Sequence, residues 1–246
     1  VPTPPDVFPT RAFPVTDYKL TGVFLQDQIS FMDGKITVHP ALRYDSYELT
    51  PKPDSIYPTA VQTKPSDGSK VSPKIGVVAW PQDWFGLFAN YGEGYKSPEP
   101  SQVNNSFSNL AQGYTSIANP DLKPESSKST EIGARLRNIN ALGGVWAGEL
   151  VAFSTDYKDF ISQEMVSGAG TVANPAVYQY VNVAAVQVDG IEAKLNAYWD
   201  NGFGVRAAAS YTEGDDKLPG STTPRQSIDP YKIVAGLTFD DPGKLF

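Results

Sequence analysis

FANYGEGYKSPEP (88–100), VNNSFSNLAQGYTSIA (103–118) and NPDLKPESSKSTEIG (119–133) make up almost all of one passage near the middle of the 246-residue chain. It reads as an aromatic strand climbing to a Pro-rich exit, a long polar excursion, and a Pro-locked return into a second strand. Pro98, Pro100, Pro120 and Pro124 fix φ and remove backbone donors, so they end ladder pairing and set how the excursion leaves and returns. The rest of the chain repeats this plan.

Outward from that passage the dominant signal is alternation. Ile36, Val38, Pro40, Leu42 and Tyr44 oppose Thr37, His39, Ala41, Arg43 and Asp45; Thr130, Ile132, Ala134 and Leu136 oppose Glu131, Gly133, Arg135 and Arg137. The same period of two recurs from Ile191 to Trp199, Phe203 to Thr212 and Tyr231 to Asp240. Nine strands are expected, near 20–31, 36–48, 71–80, 84–96, 128–137, 145–158, 185–199, 203–213 and 230–240. The first and sixth alternate less cleanly. Connections sort into short turns (32–35, 81–83, 138–144, 200–202) and long polar loops (49–70, 97–127, 159–184, 214–229). Short on one side and long on the other is the build of an antiparallel up-and-down transmembrane β-barrel, with periplasmic turns and extracellular loops. Aromatics near strand ends, among them Tyr44, Tyr47, Trp80, Trp84, Phe85, Tyr157, Tyr198 and Trp199, fit interface girdles.

Composition sets the bounds. A net charge of −7 argues against nucleic acid as a partner, which needs a basic footprint. No run approaches the roughly 18 apolar residues of a membrane-spanning helix, and the negative mean hydropathy is compatible with strands whose faces average to near neutral. With no cysteine there is no thiolate metal site; the lone histidine, His39, has no Ser or Cys partner in a recognisable nucleophile elbow, so no triad is expected and no catalytic residue is assigned. His39 reads as a structural residue on a polar strand face. Asp54, Asp67, Asp215 and Asp216 match no calcium-loop spacing and read as solvated loop tips.

Tyr91-Gly-Glu-Gly-Tyr-Lys-Ser-Pro98 resembles the "YAEGFRAP" box of TonB-dependent outer-membrane receptors of the haem/haemoglobin family, and Asn119-Pro-Asp-Leu-Lys-Pro-Glu125 resembles its "NPNLKPE" box. Gly22-Val-Phe-Leu-Gln-Asp27, Leu42-Arg-Tyr-Asp45, Val103-Asn-Asn-Ser-Phe107 and Tyr180-Val-Asn-Val183 are similar to further family pieces, in order along nearly the whole chain. The positions carried over are Gly94, Tyr95, Lys96, Ser97 and Pro98, then Asn119, Pro120, Asp121, Leu122, Lys123, Pro124 and Glu125. The resemblance implies an outer-membrane receptor that takes up haem, from haem or a haem protein. Its TonB complex acts through a plug domain, and lipid and lipopolysaccharide surround it. Haem is then transported cargo, with no permanently bound cofactor or metal. The resemblance also makes residues 1–246 part of a barrel of 22 strands, with the plug domain absent from this chain. An odd strand count and an ending just past a turn are expected of such a fragment, which should not be stable alone because open edges in lipid are costly.

Ligand contacts are expected in the loop, from Tyr114, Phe107, Asn104 and Asn105, with Tyr95 at its base. In the haem subgroup a histidine is expected there, yet 99–118 contains none, which leaves Tyr114 as the phenolic candidate for an iron centre. Arg43, Glu131, Arg135, Arg137, Glu192, Lys194 and Arg206 are expected to face the lumen and the plug. Two other readings stand beside this one: the same scaffold carrying a ferric siderophore, cobalamin or a glycan, and a soluble all-β carbohydrate-binding or adhesion module.

Overall fold

The computed structural model describes residues 11–55, 63–218, 221–224 and 228–240. The Pro-rich start before residue 11 and the expected turn at 241–243 lie outside the described residues. In chain order the strands are β1 (Thr16–Gln26), β2 (Ile29–Phe31), β3 (Ile36–Pro51), β4 (Ser66–Gln82), β5 (Phe85–Lys96), β6 (Ser108–Asn109), β7 (Tyr114–Ile117), β8 (Glu125–Ala141), β9 (Gly144–Ser167), β10 (Ala176–Trp199), β11 (Phe203–Leu218), β12 (Ser221–Pro224) and β13 (Tyr231–Phe239). Between β5 and β6 lies a one-turn helix, α1 (Pro100–Val103).

Long strands pair antiparallel with their neighbours in chain order, β6 and β7 being loop strands set aside. β1 and β2 are one strand interrupted by chemistry. The register against β3 runs unbroken from Leu25 facing Leu42 to Ile29 facing Val38. At the gap Asp27 N donates to Pro40 O at 3.0 Å, but Pro40 has no N–H to return. The β4–β5 ladder likewise stops at Lys74, one residue short of Pro73. With β12 and β13 both on β11, these form the nine strands expected. Among the described residues no pairing joins β1 to β13, so the sheet is open.

One face is apolar from edge to edge. Leu42 faces Leu25 and Pro73, Ile132 faces Ala89 and Ala152, Leu150 faces Ala193, and Ala209 faces Ile233. These side chains are bare: Ile132 is 65 % exposed and Ile233 80 %. An apolar band spanning every strand is a lipid-facing exterior, since water would penalise it throughout. At the short-turn end Trp146 and Trp199 meet edge to face at 5.6 Å, and their indole N–H groups donate to Ala141 O and Leu142 O. Such aromatic bodies with wet polar tips belong at an interface.

Three loop readings are corrected. Of 159–184 only 168–175 lies outside the strands, and β3, β4 and β11 also run beyond their expected ends. Period-two amphipathicity needs a contrast between lipid and lumen; above the membrane both faces meet water, so the ladder continues without its sequence signature. Tyr47 is also no girdle residue. It is 2 % exposed, in a buried cluster with Leu49, Val103, Leu122 and Ile161, and this cluster sits at the long-loop end.

Candidate functional site

The excursion after β5 is tied down at both ends. Ser97 Oγ lies 2.5 Å from Tyr18 Oη on β1. Gln102 accepts from Glu99 N at 2.9 Å, closing the turn that starts α1. That turn drives Val103 into the buried cluster. Asn104 follows it inward, its Oδ1 accepting from Lys64 N at 3.3 Å, while Asn105 turns outward and caps the next bend by accepting from Phe107 N at 3.2 Å. Gly113, at φ +73°, closes the tip; a Cβ there would stand 2.9 Å from Gly170 O, so the tip of the β9–β10 hairpin lies directly against it.

β7 then adds to β10 in parallel, Tyr114 facing Ala176 and Ser116 facing Tyr178. A meander supplies only antiparallel neighbours, so this strand belongs to the loop and covers the edge of β10 where β11 has not yet begun to pair. On the return, Asn119 Nδ2 donates to Tyr180 O at 2.8 Å and Gln179 Nε2 to Ala118 O at 2.8 Å. Asn182 accepts from Lys123 N at 2.8 Å and donates to Lys123 O at 2.8 Å. Glu125, 6 % exposed, accepts from Ile161 N at 2.9 Å and lies 3.5 Å from Lys96 Nζ. The two Pro-bearing boxes and Tyr180-Val-Asn-Val183 therefore hold one another.

Between loop and β10 lies a cavity of about 490 Å3. Phe107 and Tyr114, their rings 6.0 Å apart, form the loop wall; Tyr178 and Tyr180 form the strand wall. Asn105, Ser116 and Gln163, which faces Tyr180 across the β9–β10 ladder, add neutral polar groups, and Ala12 completes the rim. Every lining residue is uncharged.

Of the expected loop contacts, Tyr114, Phe107 and Asn105 meet in this cavity. Asn104 and Tyr95 do not: Asn104 is 1 % exposed, and Tyr95 packs against the buried cluster. Tyr95 lies above the apolar belt, and burial, followed by the neighbouring Tyr47 and Tyr18, pushes its phenol up to about 12. A phenol held neutral is poorly placed to ligate iron as phenolate. Gln163, Tyr178 and Tyr180 fall in 159–184, whose sequence lacks the alternation of a strand, and Ser116 lies in the excursion itself, where no signal marks it. The Tyr-x-Tyr spacing at 178–180 is the visible signal, placing both rings on one face of a strand.

The charged residues expected to face the lumen lie away from this cavity, on the polar face of the sheet, opposite the apolar band. Glu149 joins Arg135 at 2.5 Å and Lys194 at 3.5 Å. Asn90 donates to Glu131 at 3.2 Å, and Arg43 pairs with Asp45 at 2.7 Å. Arg206 donates to Tyr198 Oη at 2.9 Å, and Lys194 is 3.9 Å from Glu192. Arg137 stacks 3.8 Å over Trp80. His39 lines a separate cavity of about 480 Å3 with Gln26, Asn90 and Lys74. Asp54 pairs with Arg11, and Asp215 with Lys217 at 3.2 Å.

Comparison with known proteins agrees with this architecture. The chain is 25 % identical over 240 residues to "Heme/hemopexin utilization protein C" of Haemophilus influenzae, covering 89 % of this chain and 31 % of that protein. To the "Ferrienterobactin receptor" of Escherichia coli it is 26 % identical over 197 residues, covering 76 % and 23 %. The chain thus spans less than a third of these relatives. The fold matches the Serratia marcescens hemophore receptor HasR, solved with its hemophore HasA and heme, at TM-score 0.69 and 19 % identity over 90 % of this chain and 40 % of that one. The family profile described as "TonB dependent receptor-like, beta-barrel" matches residues 1–245, and the chain belongs to that family as part of an outer-membrane receptor barrel.

Proposed function

We propose that this receptor takes up haem, from haem itself or a haem protein, through the pocket between Phe107, Tyr114, Tyr178 and Tyr180. The observation that carries the reading is the pocket's chemistry, four rings and no charge. A porphyrin offers a flat apolar face to such rings, and a phenol can reach its iron. A ferric catecholate siderophore is strongly anionic and calls for cations at its site, which this pocket lacks. Relatives named for haem and for enterobactin are about equally similar, so the siderophore is the competing cargo. In this reading the polar face packs a plug domain through the Arg135–Glu149–Lys194 ladder, the TonB complex acts through that plug, and lipid and lipopolysaccharide meet the apolar belt.

Titration of haem into the full-length receptor in detergent tests it. A saturable Soret shift, lost in Tyr114→Ala and weakened in Phe107→Ala, is expected. Saturable binding of a ferric catecholate, with a haem response indifferent to both changes, would replace haem with the siderophore.

A further inference from the structure

The pocket has two walls from distant parts of the chain, and something must fix their separation. We propose that Asn182, assisted by Asn119, is a positioning residue for this pocket, holding the loop wall against the strand wall; for haem, this rests on the reading above. Asn182 is the side chain best placed to do so. An amide carries two N–H donors and one acceptor oxygen, and here all are used: Nδ2 donates to Lys123 O at 2.8 Å and Asp159 O at 2.7 Å, and Oδ1 accepts from Lys123 N at 2.8 Å. One side chain on β10 thereby ties the loop's return segment and β9 together. Asp159 sits at φ +53°, a conformation that a β-strand does not otherwise hold, so its carbonyl is presented to the amide by a deliberate kink. Four residues before Lys123, Asn119 makes the matching bond to Tyr180 O, the backbone of a pocket ring.

Neither asparagine lines the pocket. Their effect therefore passes through the position of Phe107 and Tyr114 relative to Tyr178 and Tyr180. Chemistry also grades the substitutions. Asn182→Ala removes three bonds. Asn182→Asp keeps the acceptor for Lys123 N but turns a carboxylate toward two carbonyls, so it should be the worse of the two.

The test uses the full-length receptor and two readouts. In Asn182→Ala, the backbone amides of β7 should exchange with solvent faster, and haem should leave about tenfold faster with the Soret position unchanged. Asn182→Asp should exceed both effects. An Ile117→Cys/Gln179→Cys pair, facing each other in the β7–β10 register of a chain without native cysteine, should restore slow release to Asn182→Ala when oxidised and not when reduced. Unchanged β7 exchange in Asn182→Ala overturns the proposal. So does wild-type haem release in Asn182→Ala alongside lost binding in Tyr180→Ala. A wild-type receptor that binds no haem, with the exchange difference intact, sinks the haem reading and leaves Asn182 positioning the pocket for another cargo.

Discussion

The wall of this barrel and its mouth are built from the same strands and held by different forces. In the wall each strand touches its neighbours through the ladder, and apolar side chains such as Ile132 and Leu150 point away from the protein. The mouth has an interior, with Leu49, Val103 and Leu122 packed almost without exposure, and side-chain amides tie loop to strand. Identical substitutions therefore have different consequences in the two regions. The wall responds to which face a side chain is on, the mouth to volume and to hydrogen-bond partners.

Leucine truncation gives the sharpest contrast. Leu49→Ala should cost about 2–5 kcal/mol, because a fully buried side chain leaves a cavity. Leu150→Ala in the wall should cost far less. Thermal unfolding of the full-length receptor in detergent, with proteolysis of the loops as a local probe, measures both; equal losses would break the comparison. Next comes polarity at adjacent positions. Ile132→Arg should destabilise the barrel in lipid vesicles by about 2–4 kcal/mol, the cost of an arginine near the bilayer midplane, whereas Glu131→Gln on the opposite face should stay within about 0.5 kcal/mol. Equilibrium unfolding from vesicles would show it.

The smallest effect is expected at Tyr95. Its hydroxyl is buried without a hydrogen-bond partner, so Tyr95→Phe should be neutral or stabilising by up to about 1 kcal/mol and leave haem affinity unchanged. Weakened binding would return Tyr95 to the ligand site. The same residue gives a pH signature. Its folded pKa, about 12, is raised, so its contribution to the mouth is complete below the ordinary phenol pKa of about 10 and is lost as pH rises toward the folded value. Alkaline difference absorbance should lose its latest phenolate step in Tyr95→Phe, and loop proteolysis should accelerate at that step only in wild type.

The wall was legible in the sequence and the pocket only half so, for one physical reason. Between the turns and the belt edge, lipid and lumen impose opposite demands on successive residues, and that contrast wrote the alternation seen at Ile36 to Asp45 and Thr130 to Arg137. Beyond the belt the contrast ends. The upper parts of β9 and β10 therefore carry no alternation of apolar with polar, and only the Tyr-x-Tyr spacing marks 178–180 as strand. The resemblance located Asn119–Glu125 and Tyr180–Val183 as separate pieces. That they bind each other follows from the fold, because residues some sixty positions apart meet through Asn119–Tyr180 and Lys123–Asn182. Likewise the loop tyrosine and phenylalanine were visible by type, while the partner walls were not.

The parallel seating of β7 on β10 also bears on the order of assembly. Strands joined by hairpins can be added one after another, each stabilised by the one before, but β7, within the excursion between β5 and β8, has only the short β6 to pair with until β10 has been laid down. The docking of β7 is therefore a long-range closure and comes late, after the base of the excursion has already met β1 and β3. Competence to hold a cargo would then arise only once the neighbouring strands are in place, which makes binding itself a report on how far the barrel has been built.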